Sequence, residues 1–484
     1  MSGLLRLVPD EPEPAHALAA AAPRARARPR WAADPLDELA EELGGVCAAA
    51  VHPDEIAAVL EADGLTGDQI AERYGRHDAF ELAAELYARV PRSHPEPDPR
   101  PDPWRVAPGP FLLRSLIFTL PGLGYALASP LTDGNRESPG LPAGTGALVV
   151  SALVAWAWNQ ALAHRAYTRL AAGGRAAAGR SLATGAPLGA LLATGAALAL
   201  PAPAGAHAFA AGQVLYLAAA TVLLVLGRER LLLGALLPTA TGGAVLLFTQ
   251  PPPGVGVALL LASTGGALFA AGHEIARTRR EEGAPAAGPP APSPLASVPF
   301  GLFGLGCGAL TALAALGESA VHRTGGAGGP AVLALTLSMG AAEWLLHRCR
   351  GLALAALAAA TTTTGLLIRA VRVLTLCVTG YLAALTVLAL AVGALWPGAP
   401  PPDAVRLTAL LALGAVLWSG LLLQAHGVAW LPALLCLGAA GTQAAALALS
   451  LWAPATGQLL ICTGAAAVLL AVATALLGRI TTHR

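Results

Sequence analysis

The sequence predicts an all-α, polytopic membrane protein: about 12 transmembrane helices in two parallel six-helix repeats, preceded by a small helical cytoplasmic module. Three observations lead there. Hydrophobic residues fill 55% of 484 positions, charged residues only 12%, and the mean hydropathy is +0.61, which leaves too little charge to coat soluble domains of this size. Residues 115–124 read SLIFTLPGLG and residues 297–306 read SVPFGLFGLG, so S-x-x-F-x-L-x-G-L-G occurs twice. Each copy opens an apolar segment, and the segment after it closes on a His-Arg pair, His164-Arg165 or His347-Arg348, with Gln160 or Glu343 four positions earlier. Two matches at nearly one offset mark an internal duplication. Finally, all the basic residues other than His are Arg, and they segregate: with the N-terminus inside, 15 loop arginines fall on the inner side and only Arg136, Arg323 and Arg406 outside, as the positive-inside bias requires.

In chain order, residues 1–33 form an Arg-containing tail (Arg24, Arg26, Arg28, Arg30) expected to be disordered, and its order of charge and apolar residues is not that of a signal peptide. Residues 34–92 form a soluble module of three or four short helices. Pro53 stands at a first helical position with Asp54 and Glu55 behind it, and Ile56, Val59 and Leu60 share a face. Thr66/Gln69 and Asp78/Glu81 have capping-box spacing; Ile70, Tyr74, Phe80, Leu82, Leu86 and Tyr87 are the expected core. The module is acidic and carries no basic recognition face, so no nucleic acid is expected. Residues 93–110 are a Pro-rich, semi-rigid linker.

Segments long enough to cross about 30 Å of hydrocarbon, roughly 20 helical residues each, fall at 111–129, 145–163, 182–200, 207–226, 231–248 and 254–271, the first lobe spanning 111–272. A flexible tether, 273–296, carries Arg277, Arg279 and Arg280. The second lobe, 297–484, has segments at 298–316, 331–346, 371–396, 405–423, 428–451 and 456–477. Residues 352–367, interrupted by Thr361–Thr364, read as interfacial or as an early start of the ninth segment. An even number of segments per half gives both halves one orientation and both termini a cytoplasmic side, related by an axis along the membrane normal.

Glu343 is the one acid well inside a segment, which makes it a candidate site; it is also four residues from His347 and five from Arg348, so a carboxylate paired near the interface is the competing reading. Gln160 and Asn159 are suited to interhelical hydrogen bonds. Gln213 and Gln443 either line a cavity or bridge helices. Gly122, Gly124, Gly304 and Gly306 allow close packing or a hinge. The six cysteines have no C-x-x-C spacing and are expected to be buried and unpaired. With no H-E-x-x-H, phosphate loop, nucleophile elbow or acid-rich external domain, no enzyme, metal or cofactor site is expected.

The stretch 52–92, with WAWNQALAHRAYTRLAAG at 156–173 and LSMGAAEWLLHR at 337–348, resembles a group of actinobacterial polytopic integral membrane proteins of unassigned function. In architecture, two six-helix lobes joined by a tether are similar to the multidrug/oligosaccharidyl-lipid/polysaccharide exporter superfamily. Major-facilitator transporters share the layout, but their acidic-basic signature is absent from residues 163–181. The superfamily resemblance implies a plasma-membrane transporter or flippase whose lobes rock about a cavity and which exports a lipid-linked saccharide or polysaccharide. Such flippases place cations in a central cavity, for which Arg114 is the candidate. The alternative is a non-transporting scaffold whose module at 34–92 docks a cytoplasmic glycosyltransferase or regulator.

Overall fold

A computed structural model describes residues 34–93, 107–128, 131, 141, 143–246, 249, 252–281, 293–322, 329–396 and 403–479. The expected tail at 1–33, most of the linker and the middle of the tether lie outside these residues. The chain divides into two compact units, one within Val8–Asp102 and one within Pro103–Arg484.

The first unit has five helices: α1 (Pro35–Glu42), α2 (Gly44–Ala49), α3 (Pro53–Ala62), α4 (Gly67–Tyr74) and α5 (Ala79–Arg89). Thr66 and Gln69 make both bonds of a capping box at the start of α4. At α5 only half a box forms, because Asp78 caps the Glu81 amide while the Glu81 carboxylate accepts from the His77 N–H instead. Ala79, Leu82, Ala83 and Leu86 fall at i, i+3, i+4 and i+7 and close on Ile56, Leu60 and Ile70. Each fully buried Leu or Ile among them contributes about 1.5–3 kcal/mol. Phe80 lies about 100° around the helix from Ala79, which puts it outside, 56% exposed, contrary to expectation. Arg89 ties α5 to α1 through Asp34 and Asp37, both at 3.0 Å. The Asp34 carboxyl is held below its ordinary value, chiefly by that bond from Arg89.

All the regular secondary structure among the described residues of the second unit is helical. It comprises α6 (Gly109–Thr119), α7 (Gly122–Leu127), α8 (Thr145–Leu198), α9 (Ala204–Val225), α10 (Glu229–Val245) and α11 (Pro253–Arg280) in the first half. The second half holds a 3-10 turn, Pro294–Ser297, then α12 (Val298–His322), α13 (Gly329–Leu337), α14 (Met339–Ala358), α15 (Thr363–Leu395), α16 (Ala404–Ala425), α17 (Trp430–Ala448) and α18 (Pro454–Leu477). Ten helical stretches among the described residues are long and apolar enough to cross a membrane.

Several segments differ from the sequence reading, among them 111–129 and 331–346, each divided into two helices. The expected loop at 164–181 is helical, so one 54-residue helix, α8, runs through it. At about 1.5 Å per residue it would be roughly 80 Å long if straight, but Gly173 and Gly174 depart from helical geometry and Gly174, at φ 68°, occupies the region glycine tolerates. The expected tether at 273–296 begins later, since α11 continues to Arg280. Residues 352–358 are the last turns of α14, 359–362 form the turn after it, and 363–367 begin α15, the early start of the ninth segment that the sequence offered as one reading; Thr362 caps it by accepting from the Gly365 N–H at 3.0 Å.

The two halves pack crosswise. α6 of the first half lies against α13 and α14 of the second, and α8 of the first against α12 of the second. Both serines of the repeated motif make the crossing contact: Ser115 accepts from the Gly340 N–H at 3.0 Å, and Ser297 bonds His164 Nδ1 at 3.0 Å. Phe300, from the second copy of the motif, stacks on His164 at 3.7 Å. The second half holds a large buried apolar cluster. Trp418, 1% exposed, donates to the Ala342 carbonyl at 3.1 Å, and all six cysteines of the chain are free and buried.

Candidate functional site

A cavity of about 800 Å³, open on one side, lies in the first half, bounded by α6–α11 and by Thr336 and Met339 of the second half. The α8 wall is one helical face, Ala152, Trp156, Asn159, Gln160, Ala163 and Tyr167, at spacings of three and four. Opposite stand Phe209, Gln213, Tyr216 and Ala220 on α9. The wall is mainly aliphatic and aromatic with a few polar groups, the general make-up of a small-molecule or lipid pocket. Three of the six tyrosines in the chain, Tyr125, Tyr167 and Tyr216, line it.

Several predicted residues meet here. Gln213 accepts from the Tyr125 hydroxyl and donates weakly to the Leu148 carbonyl at 3.5 Å, so it both lines the cavity and bridges three helices. Asn159 lines the cavity and hydrogen-bonds to none of the described residues. The Gln160 stem packs against Gly304, where an added Cβ would lie 2.8 Å from Gln160 Cγ. Gln443 is elsewhere: it sits on α17, 2% exposed, and its Oε1 has no partner among the described residues.

The charged residues gather beside the cavity, adjoining Tyr167. Arg114 donates Nε–H to Glu229 Oε1 at 2.6 Å, and its Nη1 pairs with Glu343. All three side chains are mostly buried, 21%, 16% and 17% exposed. Glu343 is therefore paired, but across the halves with Arg114 rather than along its own helix; His347 Nδ1 instead bonds the Glu343 backbone carbonyl at 2.9 Å. Two carboxylates share one guanidinium, giving a formal charge of −1. Arg114 consequently offers the cavity no uncompensated positive charge.

The glycines separate by role. A Cβ on Gly306 would stand 2.8 Å from the Cys436 backbone, and one on Gly124 3.3 Å from Leu260, so both serve close packing, as does Gly304. Gly122 meets nothing within 4 Å. It follows Pro121 between α6 and α7, where the first apolar stretch is interrupted. Gly124 lines the cavity, Gly304 packs on Gln160 and Trp156 of α8, and Gly306 packs on Cys436 of α17.

Glu229 and the tyrosines escaped the sequence reading. Glu229 is enclosed by Arg228 and Arg230 and reads as loop charge; polar-tipped aromatics within apolar segments of the first half were the available signal. No protein-family model and no curated protein matches the chain.

Proposed function

We propose that the protein is a multi-span membrane transporter of flippase type, with 12 crossings in two parallel halves, both termini cytoplasmic, and a lipid-linked, amphipathic substrate moved as the halves rock. The observation that carries this reading is the 800 Å³ cavity with its aromatic lining, a volume within the range of ligand pockets. The crossing count follows from the ten long apolar stretches, with one added where Gly173–Gly174 divides α8 and one for α10, whose 17 residues reach most of the way across. The parallel repeat is supported by the crosswise contacts of Ser115 and Ser297. The apolar walls favour the lipid portion of the substrate; a saccharide would meet Asn159, Gln160 and Gln213.

The test is transbilayer movement of a fluorescent polyprenyl-linked sugar in proteoliposomes. Movement above that of protein-free vesicles, reduced about tenfold or more by Trp156→Ala and by Gln213→Leu without loss of folding, is expected. Movement indistinguishable from empty vesicles would reject the reading. A scaffold is the second reading, favoured by the separate packed core of the module at 34–93. It predicts that a stoichiometric cytoplasmic protein co-purifies with the full chain and is lost on deleting that module, with no lipid-linked sugar bound.

A further inference from the structure

Away from the cavity, three arginines from three elements converge on one carboxylate. Glu274 on α11 is 1% exposed. Arg228, in the turn between α9 and α10, donates Nε–H to its Oε2 at 2.8 Å. Arg175, directly after the break in α8, reaches the same oxygen at 3.4 Å, and Arg277, one turn along α11, lies 3.5 Å from Oε1. Arg175 also donates to the Leu226 carbonyl at 3.1 Å and lies 3.4 Å from Glu281. Three guanidiniums thus meet two carboxylates, and the cluster carries a formal charge of +1.

Its donors are far from exhausted. Each guanidinium has five N–H groups, and Arg228 and Arg277 each spend one contact on Glu274 among the described residues. Their side chains are 34% and 48% exposed, so the unused N–H groups lie at the surface. The buried carboxylate fixes the three forks without neutralising them. The position is also particular: the apolar run of α11 gives way here to His273 and Glu274 and then, within about one helical turn, to Arg277, Arg279 and Arg280, the pattern of a helix end at the headgroup level. Basic pockets between membrane helices suit phosphate headgroups, and a planar guanidinium matches phosphate oxygens in pairs where an ammonium would not.

We propose that Arg175, Arg228 and Arg277, oriented by Glu274, form a binding site for the phosphate of an anionic membrane phospholipid. Glu274 is the positioning residue; the arginines contact the lipid. The site is independent of the transport reading.

Native mass spectrometry of the full chain, with phosphatidylglycerol or phosphatidylcholine added, tests it. One phosphatidylglycerol should be retained under conditions that strip phosphatidylcholine. Arg228→Gln and Arg277→Gln should each weaken retention about fivefold, whereas Arg279→Gln, on the same helix end but outside the cluster, should change it less than about twofold. Arg277→Gln removes the longest of the three contacts and keeps the experiment decisive if Arg228→Gln does not fold. Glu274→Gln sets an N–H donor against a guanidinium in place of one acceptor oxygen, so the arginine forks lose alignment and the preference for phosphatidylglycerol over phosphatidylcholine should fall; a cluster of purely structural role would give lower thermal stability and leave that preference unchanged. Equal retention across the variants, an equal loss in Arg279→Gln, or no preference over phosphatidylcholine overturns the proposal. Displacement of the lipid by glycerol phosphate at equal concentration would assign the site to a soluble phosphate and overturn the lipid assignment.

Discussion

Replacing Arg114 by Met removes the guanidinium that bridges two carboxylates. The change leaves Glu229 and Glu343, 16% and 17% exposed, facing each other with a formal charge of −2. Breaking a buried pair by deleting one partner costs about 3–5 kcal/mol; the remaining exposure of roughly a fifth on each group argues for the lower end, about 3 kcal/mol. At about 2 °C per kcal/mol for a unit of this size, the midpoint of thermal unfolding in detergent should fall by roughly 6 °C. Glu343→Gln should behave differently. It leaves Arg114 paired one-to-one with Glu229, so its cost should stay within about 1 kcal/mol. Adding Glu343→Gln to Arg114→Met should recover part of the loss, and the double-mutant cycle should give a coupling of about 1–3 kcal/mol. If Arg114→Met unfolds within 1–2 °C of the parent, about the size of a surface change, the bridge between the halves does not hold charge as argued. A cost for Glu343→Gln equal to that of Arg114→Met would likewise refute the two-to-one balance.

Further expectations can be checked alongside. Gly306→Ala places a methyl 2.8 Å from the Cys436 backbone, so it should cost about 1–3 kcal/mol by overpacking, while Gly122→Ala, which meets nothing within 4 Å, should be neutral or slightly stabilising in the same melting assay. In the first unit, the depressed pKa of Asp34 means that the unfolded chain takes up its proton first as pH falls from the ordinary value of 3.8. The contribution of the Asp34–Arg89 contact is complete above that value and lost as pH drops through the lower folded value. Hydrogen exchange of α1 amides in the full chain, corrected for intrinsic rates, should therefore be unaffected by pH above about 4 and lose protection below it, and Asp34→Asn should abolish the dependence.

Much of this architecture was legible because its causes are local. Apolar run length sets where helices cross, and Thr66/Gln69 announce a cap from four adjacent residues. The repeated serine was visible as an echo, although what it does was not: Ser115 and Ser297 each act on the other half. Local spacing misled where a nearer partner existed in sequence than in space. Glu343 has His347 and Arg348 within five positions, yet its ion partner, Arg114, lies 229 residues away. Glu274 read as tether charge because arginines follow it, and only the packing of α8, the turn before α10 and α11 against one another makes it a buried hub. Phe80 illustrates the converse, a large apolar side chain whose helical phase, not its hydropathy, decides its exposure.

The crosswise pairing of α6 with α13 and α14, and of α8 with α12, makes each half the missing wall of the other. Neither half folded alone could satisfy its motif serine or cover the face that carries it. A chain severed between Glu281 and Ser293 should still assemble from its two fragments, as a dimer of unlike subunits would.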